Sequence, residues 1–301
     1  MENATSQFEF SDVHVHLQDK RFGTTYDDVA RYLERARARG VVRFVCSGTS
    51  PADWNRVAEL GRRFDSVYSS FGVHPWYANK IGGNWEPILA ELLVNYVSKD
   101  GSVRAILGEV GLDYAVKDNS PEVKKIQEDA LRGQLKFAAE LGLPVVLHSV
   151  RANERILQIM REYSKVPVWL LHGWTATAKE VETAVDLGAF FSFSQRSVAP
   201  SSSRARSTLG FAPRDRILLE SDGPHLIPPK GYSGTPTHFP GIYIEQRSPD
   251  GYLLAEPASI VLAAHEIAAL RKTPLDELFA QLKLNEKRFF RAFPQKKEVD
   301  K

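Results

Sequence analysis

The 301-residue chain has one cysteine, Cys46. A single thiol excludes an internal disulfide framework and any cysteine-based zinc cluster, and it fits a reducing compartment. An excess of charge is also lacking, since 39 Lys and Arg against 37 Asp and Glu leave a formal +2. Whole-molecule charge therefore gives no argument for a polyanionic partner, and any basic surface has to be local. No apolar run approaches the roughly 18 residues a membrane span needs. Residues 1–10 show neither the basic start nor the apolar stretch of a secretory leader. A cytoplasmic, soluble protein is expected, with no membrane contact and no obligate protein partner. A glycine-rich phosphate turn is missing too: Leu17–Gly23, after the first apolar run, holds one glycine. That argues against an open, doubly wound dinucleotide-binding sheet.

What is present is an ordinary globular composition, 43% hydrophobic and 25% charged, enough for a large core. Short β-branched apolar runs alternate with segments of helical period, which predicts a parallel sheet. Eight strands are expected, at Phe10–His16, Val42–Ser47, Val67–Val73, Arg104–Glu109, Pro144–His148, Pro167–His172, Ala189–Ser194 and Arg216–Asp222. The steps from His16 to Asp222 average about 29 residues, the length of a βαβ unit. The prediction is a (β/α)8 TIM-type barrel filling residues 1–301 as one domain with its core at about 8–292. Ser201–Leu209 is rich in Ser and Arg and barely apolar, so the seventh unit is expected to be distorted. Ala258–Leu270 and Leu275–Phe290 read as two amphipathic closing helices, Pro228–Pro257 as an insertion, and Gln295–Lys301 as a flexible tail.

Barrel chemistry sits where the strands end, and the strand ends here are polar. The first runs Asp12-Val13-His14-Val15-His16. A period of two puts Asp12, His14 and His16 on one face and both valines on the other. His74 ends the third, Glu109 follows the fourth, His148 and His172 end the fifth and sixth, and Asp222 closes the eighth. Five of eight histidines fall at such ends. Each alone reads as a satisfied strand-end group. Together, four imidazoles and two carboxylates at one mouth imply a cation, because Glu109 and Asp222 would otherwise repel each other. Mixed imidazole and carboxylate suits Zn, Mn, Fe or Co, and Mg where carboxylate and water dominate. Six ligands exceed what one catalytic ion with an open position needs. Two ions sharing a carboxylate fit better, an arrangement suited to displacement at phosphorus.

The ordered motifs His14-x-His16, Gly72-x-His74-Pro75-Trp76, Gly108-Glu109-Val110-Gly111-Leu112-Asp113-Tyr114, Leu147-His148, Leu171-His172-Gly173 and Glu220-Ser221-Asp222-x-Pro224 resemble the TatD-type metal-dependent deoxyribonucleases of the amidohydrolase superfamily. The match runs from about Asp12 to Phe290, and the Gly108–Tyr114 run is its most specific piece. The resemblance implies that His14, His16 and Asp222 hold one divalent metal and His148 and His172 the second, with Glu109 bridging. The ions are Mg, Mn or Zn. It makes Asp222 the group that orients or deprotonates the attacking water and His74 a substrate-phosphate contact. The implied reaction is phosphodiester hydrolysis, as a 3′-5′ exodeoxyribonuclease acting on single-stranded DNA or 3′ ends. The alternative is an amidohydrolase acting on a small amide, ester or lactone. Many of those bridge their metals with a carboxylated lysine after the fourth strand, where this chain has Glu109. A barrel that only binds nucleic acid or protein is a third reading, and the complete ligand set argues against it.

Three places depart from the family pattern. The arginine expected directly after Ser149 is displaced to Arg151, His225 follows Pro224 where Tyr is commoner, and Pro228–Pro257 is longer than usual. Arg151 and His225 are kept as candidate substrate contacts, His225 chiefly as a mouth-lining side chain. Tyr232, His238, Phe239, Tyr243 and Tyr252 of the insertion are candidate base-stacking residues. Arg196, Arg204 and Arg206 are candidates for a local positive field. Asp12 is expected to orient a ligand histidine, and Cys46 to be a buried thiol.

Overall fold

The computed structural model describes residues 9–82, 84–95, 105–225 and 254–291. Eight parallel strands follow one another in sequence order: β1 Phe10–Val15, β2 Val41–Ser47, β3 Val67–Phe71, β4 Ala105–Asp113, β5 Val145–Val150, β6 Trp169–His172, β7 Ala189–Phe193 and β8 Ile217–Leu219. Between them run α1 Tyr26–Arg37, α2 Pro51–Arg63, α3 Trp85–Asn95, α4 Pro121–Leu141, α5 Asn153–Glu162, α6 Ala178–Asp186 and α7 Ser203–Phe211, with α8 Ile260–Arg271 and α9 Leu275–Arg291 after β8. This is the (β/α)8 barrel that the alternation predicts. No described helix is long and apolar enough to cross a membrane.

Local chemistry sets many boundaries. Thr25 and Asp28 exchange side-chain and backbone hydrogen bonds at the start of α1, and Thr177 and Glu180 do the same for α6. Each pair satisfies two amide donors that the first helical turn leaves without partners. Gly142, at φ 67°, ends α4 in a left-handed conformation that costs glycine little.

Val13, Val45, Ile106, Val146, Leu170, Phe190 and Leu218 pack into one cluster with Phe289 and Phe290 of α9. A cluster drawn from seven strands fills the inside of the barrel. Along their strands Val13, Val146 and Leu170 precede His14, His148 and His172, so the apolar layer occupies the N-terminal end and leaves the C-terminal mouth to polar groups. The α9 phenylalanines plug the apolar end. Truncating the fully buried Phe289 to Ala would cost about 3–5 kcal/mol.

Four expectations need correction or limits. β1 shifts register between Asp12 and Val15, so the two valines part company: Val13 joins the barrel interior and Val15 the layer beneath the helices. The distortion expected of the seventh unit is limited to the loop of residues 194–202, after which α7 forms a short, nine-residue helix that buries Ala205, Thr208 and Leu209. α8 is not amphipathic, since residues 260–265 are all buried with Ile267 and Ala268. The tail Gln295–Lys301 and nearly all of Pro228–Pro257, with Tyr232, His238, Phe239, Tyr243 and Tyr252, lie outside the described residues.

The seam of the barrel closes at the polar end. No strand ladder joins β8 to β1 among the described residues. Instead the Asp222 N–H donates to the His14 carbonyl at 3.0 Å and the His16 N–H to the Gly223 carbonyl at 2.7 Å. Asp12 accepts from the Ser221 amide at 2.9 Å and hydroxyl at 2.6 Å, and from the His14 amide at 3.3 Å. So Asp12 fastens backbone, not the imidazole ring expected from the sequence.

Candidate metal centre

Glu109 is 3% exposed and lies among five imidazoles at the barrel mouth. Its two oxygens divide them. Oε2 stands 3.5 Å from both His14 Nε2 and His16 Nε2. Oε1 stands 2.8 Å from His172 Nε2, 2.9 Å from His148 Nδ1 and 3.3 Å from His74 Nε2. Asp222 Oδ1 faces the first pair, 3.5 Å from His16 Nε2 and 3.7 Å from His14 Nε2.

Backbone irregularities aim these groups. β4 shifts register between Leu107 and Val110, which turns Glu109 inward while Val110 and Leu112 pack outward. Gly111 has φ 151°, and a Cβ there would run into the His148 carbonyl, so β4 and β5 meet this closely only with glycine. Asp222 has φ 48°, a left-handed conformation that Asp tolerates better than most residues, and this turns its carboxylate back over the cavity.

Hydrogen-bond partners assign the tautomers. His16 Nδ1 donates to the Ser47 carbonyl at 2.7 Å, so Nε2 is the nitrogen that faces Glu109 and Asp222, protonated toward them or, once that proton leaves, free to bind a cation. His148 lies between two carboxylates, with Nε2 3.4 Å from Asp113 Oδ2 and Nδ1 2.9 Å from Glu109 Oε1; a ring protonated on both nitrogens satisfies both, and loss of the Nδ1 proton frees that nitrogen for a cation. His74 is the opposite case: its Nδ1 accepts from the Trp76 amide at 3.1 Å, so the proton sits on Nε2 and points at Glu109. His14 and His16 thus share Ser47, whose hydroxyl lies 3.0 Å from His14 Nδ1.

The donor set fits metal ions. His14 Nε2 has no hydrogen-bond partner although it is buried, an arrangement that costs free energy unless something else occupies the lone pair. Two ligands, each about 2.1 Å from one ion at 90–110°, stand about 3.0–3.4 Å apart. His148 Nδ1 and His172 Nε2 are 3.3 Å apart, and both lie close to Glu109 Oε1. Three groupings are compact enough to share an ion: His14, His172 and Asp222; His14, His16 and Glu109; His74, Glu109 and His148. His74 enters the last by distance, while its tautomer makes it a donor.

The electrostatics agree. Burial works against charge on Glu109, but His172, His74 and His14 outweigh it and hold the carboxyl well below its ordinary range. Burial likewise opposes charge on Asp222, and His16, His14 and His172 pull it down. Burial and the nearby His172 ring push His14 down to about 4, and burial pushes His74 to about 4. In His16 burial is outweighed by Asp222 and Glu109, which raise it to about 9. In His148 it is outweighed by Asp113 and Glu109, again raising it to about 9. Burial is outweighed in His172 too, chiefly by Glu109, which raises it, so protons drawn onto His16, His148 and His172 offset the negative charge around them, and a cation would take over that role.

The site opens into a cavity of about 640 Å3 lined by His16, His74, Glu109, His148, His172, Asp222 and His225, among others. His225 stands at the mouth, edge-on to His16 with ring centroids 5.0 Å apart and 3.0 Å from Arg21 Nη2. Arg151 is not brought there. β5 runs two residues past His148, and Arg151, at φ 54°, lines a separate depression with Tyr114 and Arg155. Arg196 and Arg204 are exposed and Arg206 half-buried, and none lines the central cavity. Cys46 is fully buried, and burial pushes its thiol up to about 12. Sequence reasoning missed Ser47, which carries no motif, and the role of Asp113, which is visible only as a strand-end carboxylate.

A family model described as TatD related DNase matches residues 11–291. The 3′-5′ ssDNA/RNA exonuclease TatD of Klebsiella pneumoniae is 31% identical over 244 residues, covering 77% of this chain and 86% of the relative. A Bacillus subtilis protein described as the uncharacterized metal-dependent hydrolase YabD is 30% identical over 281 residues, covering 93% and 98%. Among solved structures, the TatD homolog YjjV of Escherichia coli superposes with a TM-score of 0.76 at 24% identity over 94% of this chain and 98% of its own. A hydrolase TatD family protein of Entamoeba histolytica reaches 0.78 at 19% identity over 96% and 99%. These two likenesses concern the fold.

Proposed function

The chain belongs to the TatD-related DNase family, and from that membership and the geometry around Glu109 we propose that it hydrolyses phosphodiester bonds of single-stranded nucleic acid from the 3′ end. One observation carries the reading: a single buried carboxylate whose two oxygens face two separate sets of imidazole nitrogens. In this reading His14, His16 and Asp222 would hold one divalent ion, Mg, Mn or Zn, and His148 and His172 a second, with Glu109 serving both. When bound, such ions supply positive charge to the phosphodiester oxygens and lower the pKa of water.

The protein's own groups do the rest. Asp222, kept ionised by the imidazoles around it, takes the proton of the attacking water. His74, with its proton on Nε2, donates to a phosphoryl oxygen, a contact that gains strength as charge builds there. His225 and Arg21 meet the strand at the mouth. Arg151 lies outside the cavity and has no part in this reading.

The test is time-resolved digestion of a 5′-labelled single-stranded DNA oligonucleotide by metal-stripped protein, with Mg, Mn, Zn or no metal added back. A metal-dependent ladder of shortened labelled products is expected. Intact oligonucleotide with every metal, in protein shown to bind two equivalents, would overturn the proposal.

A further inference from the structure

Trp76 walls two cavities at once. On one side lies the cavity over Glu109; on the other is a depression of about 540 Å3 lined by Lys80, Asp113, Lys117, Asp118 and Val123, among others. Trp76 is the described residue common to both linings.

The indole is 47% exposed and yet held in place. Its Nε1 donates to Asp113 Oδ2 at 2.6 Å. Asp113 is anchored in turn: its Oδ1 accepts from the Ala115 amide at 2.8 Å, and Gln127 bonds its backbone on both sides. The Trp76 ring meets His74 edge-on, with centroids 4.8 Å apart. A large aromatic face left to solvent usually means nothing when it stands alone and mobile. This one is fixed by its polar edge beside the reactive centre, so a ring stacking on it would find the platform already ordered. The lining also holds two carboxylates, Asp113, bonded as described, and Asp118, which accepts from the Ser120 amide at 3.2 Å, and their charge is offset by Lys80 and Lys117. Lys80 and Lys117 are both exposed. An aromatic platform flanked by cations is the chemistry that holds unpaired bases and their phosphates.

We propose that this second cavity is a nucleobase subsite, in which the base of the nucleotide next to the scissile phosphate stacks on the Trp76 indole while Lys80 and Lys117 face its backbone. The ligand is an unpaired base, because a duplex keeps its bases stacked on one another. The proposal rests on the reading of the chain as a single-strand nuclease and gives it a way to grip a strand without reading its sequence.

Binding is measured in EDTA by fluorescence anisotropy, so that turnover does not interfere. The probes are a 5′-fluorescein single-stranded DNA oligonucleotide and the same oligonucleotide made abasic at its 3′-terminal positions. Trp76→Ala is expected to weaken binding of the base-containing strand roughly tenfold or more and leave the abasic strand unchanged. Trp76→Phe keeps a ring but loses the donor to Asp113, and it is expected to bind the base-containing strand within about threefold of the parent. That variant separates stacking from a structural role, in which both substitutions would act alike. Equal loss on both probes, equal affinity of parent and Trp76→Ala, or a parent that does not distinguish the probes would overturn the subsite. Base-dependent binding without hydrolysis under any metal leaves the subsite standing and removes the nuclease reading; metal-dependent digestion with no base dependence does the reverse.

Discussion

Ser47 holds both histidines of the first strand, its hydroxyl 3.0 Å from His14 Nδ1 and its carbonyl accepting from His16 Nδ1 at 2.7 Å. Groups that fix ligand imidazoles from behind typically change metal affinity by about 10–100-fold. Ser47→Ala removes the hydroxyl and keeps the carbonyl, so it should weaken metal binding by about tenfold with little change in melting temperature. Competition with a chromophoric chelator measures this; unaltered affinity would show that His14 needs no support.

Glu109→Gln tests the centre of the site. It keeps the shape and removes the negative charge that faces five imidazoles. The expected outcome is loss of at least one metal equivalent and a fall in turnover of roughly a thousandfold, the scale of several kcal/mol of transition-state stabilisation. Metal content by elemental analysis, beside a circular dichroism spectrum showing an intact barrel, decides it.

Asp12 closes the barrel seam from a fully buried position, and burial raises its carboxyl to about 8. Asp12→Ala leaves the Ser221 amide without its acceptor, a loss of about 2–3 kcal/mol, and frees the backbone that carries Asp222. Asp12→Asn keeps the shape and an acceptor, so it should lose less than half as much. Urea denaturation of the two variants compares them, and equal losses would contradict the seam role.

Glu286 gives a pH dependence remote from the site. It accepts from the Ser11 amide at 2.8 Å and hydroxyl at 2.7 Å, and burial raises its pKa from 4.5 to about 7. Between those values the folded chain keeps a proton that the unfolded chain releases. Unfolding then releases a proton, so stability falls as pH rises through this window. Glu286→Gln has no proton to lose. Relative to the parent it should gain about 2–3 kcal/mol on going from pH 4 to pH 8, measured by denaturant midpoints at each pH. A difference that stays flat with pH would contradict the raised pKa.

Eight strands and their order were legible in the sequence because each buried strand is a short apolar run with helical period on either side. The polar strand ends were legible for a related reason: a carboxylate or imidazole directly after such a run has few places to lie except the barrel mouth. Val13 and Val15 show where local pattern fails, since a strict period of two cannot anticipate the register shift in β1. Arg151 shows the same for direction, because two further residues of β5 and one left-handed turn carry its guanidinium away from the cavity. Ser47, Asp12 and Trp76 gain their roles only from partners at 33, 209 and 37 residues' separation. The linear sequence by itself determined which residue types end each strand, and so the chemistry available at the mouth. Which nitrogen of each imidazole faces Glu109, and how the two oxygens of that carboxylate divide them, was decided by the tertiary structure, because a ring's tautomer is set by whichever distant donor or acceptor packs against its other side.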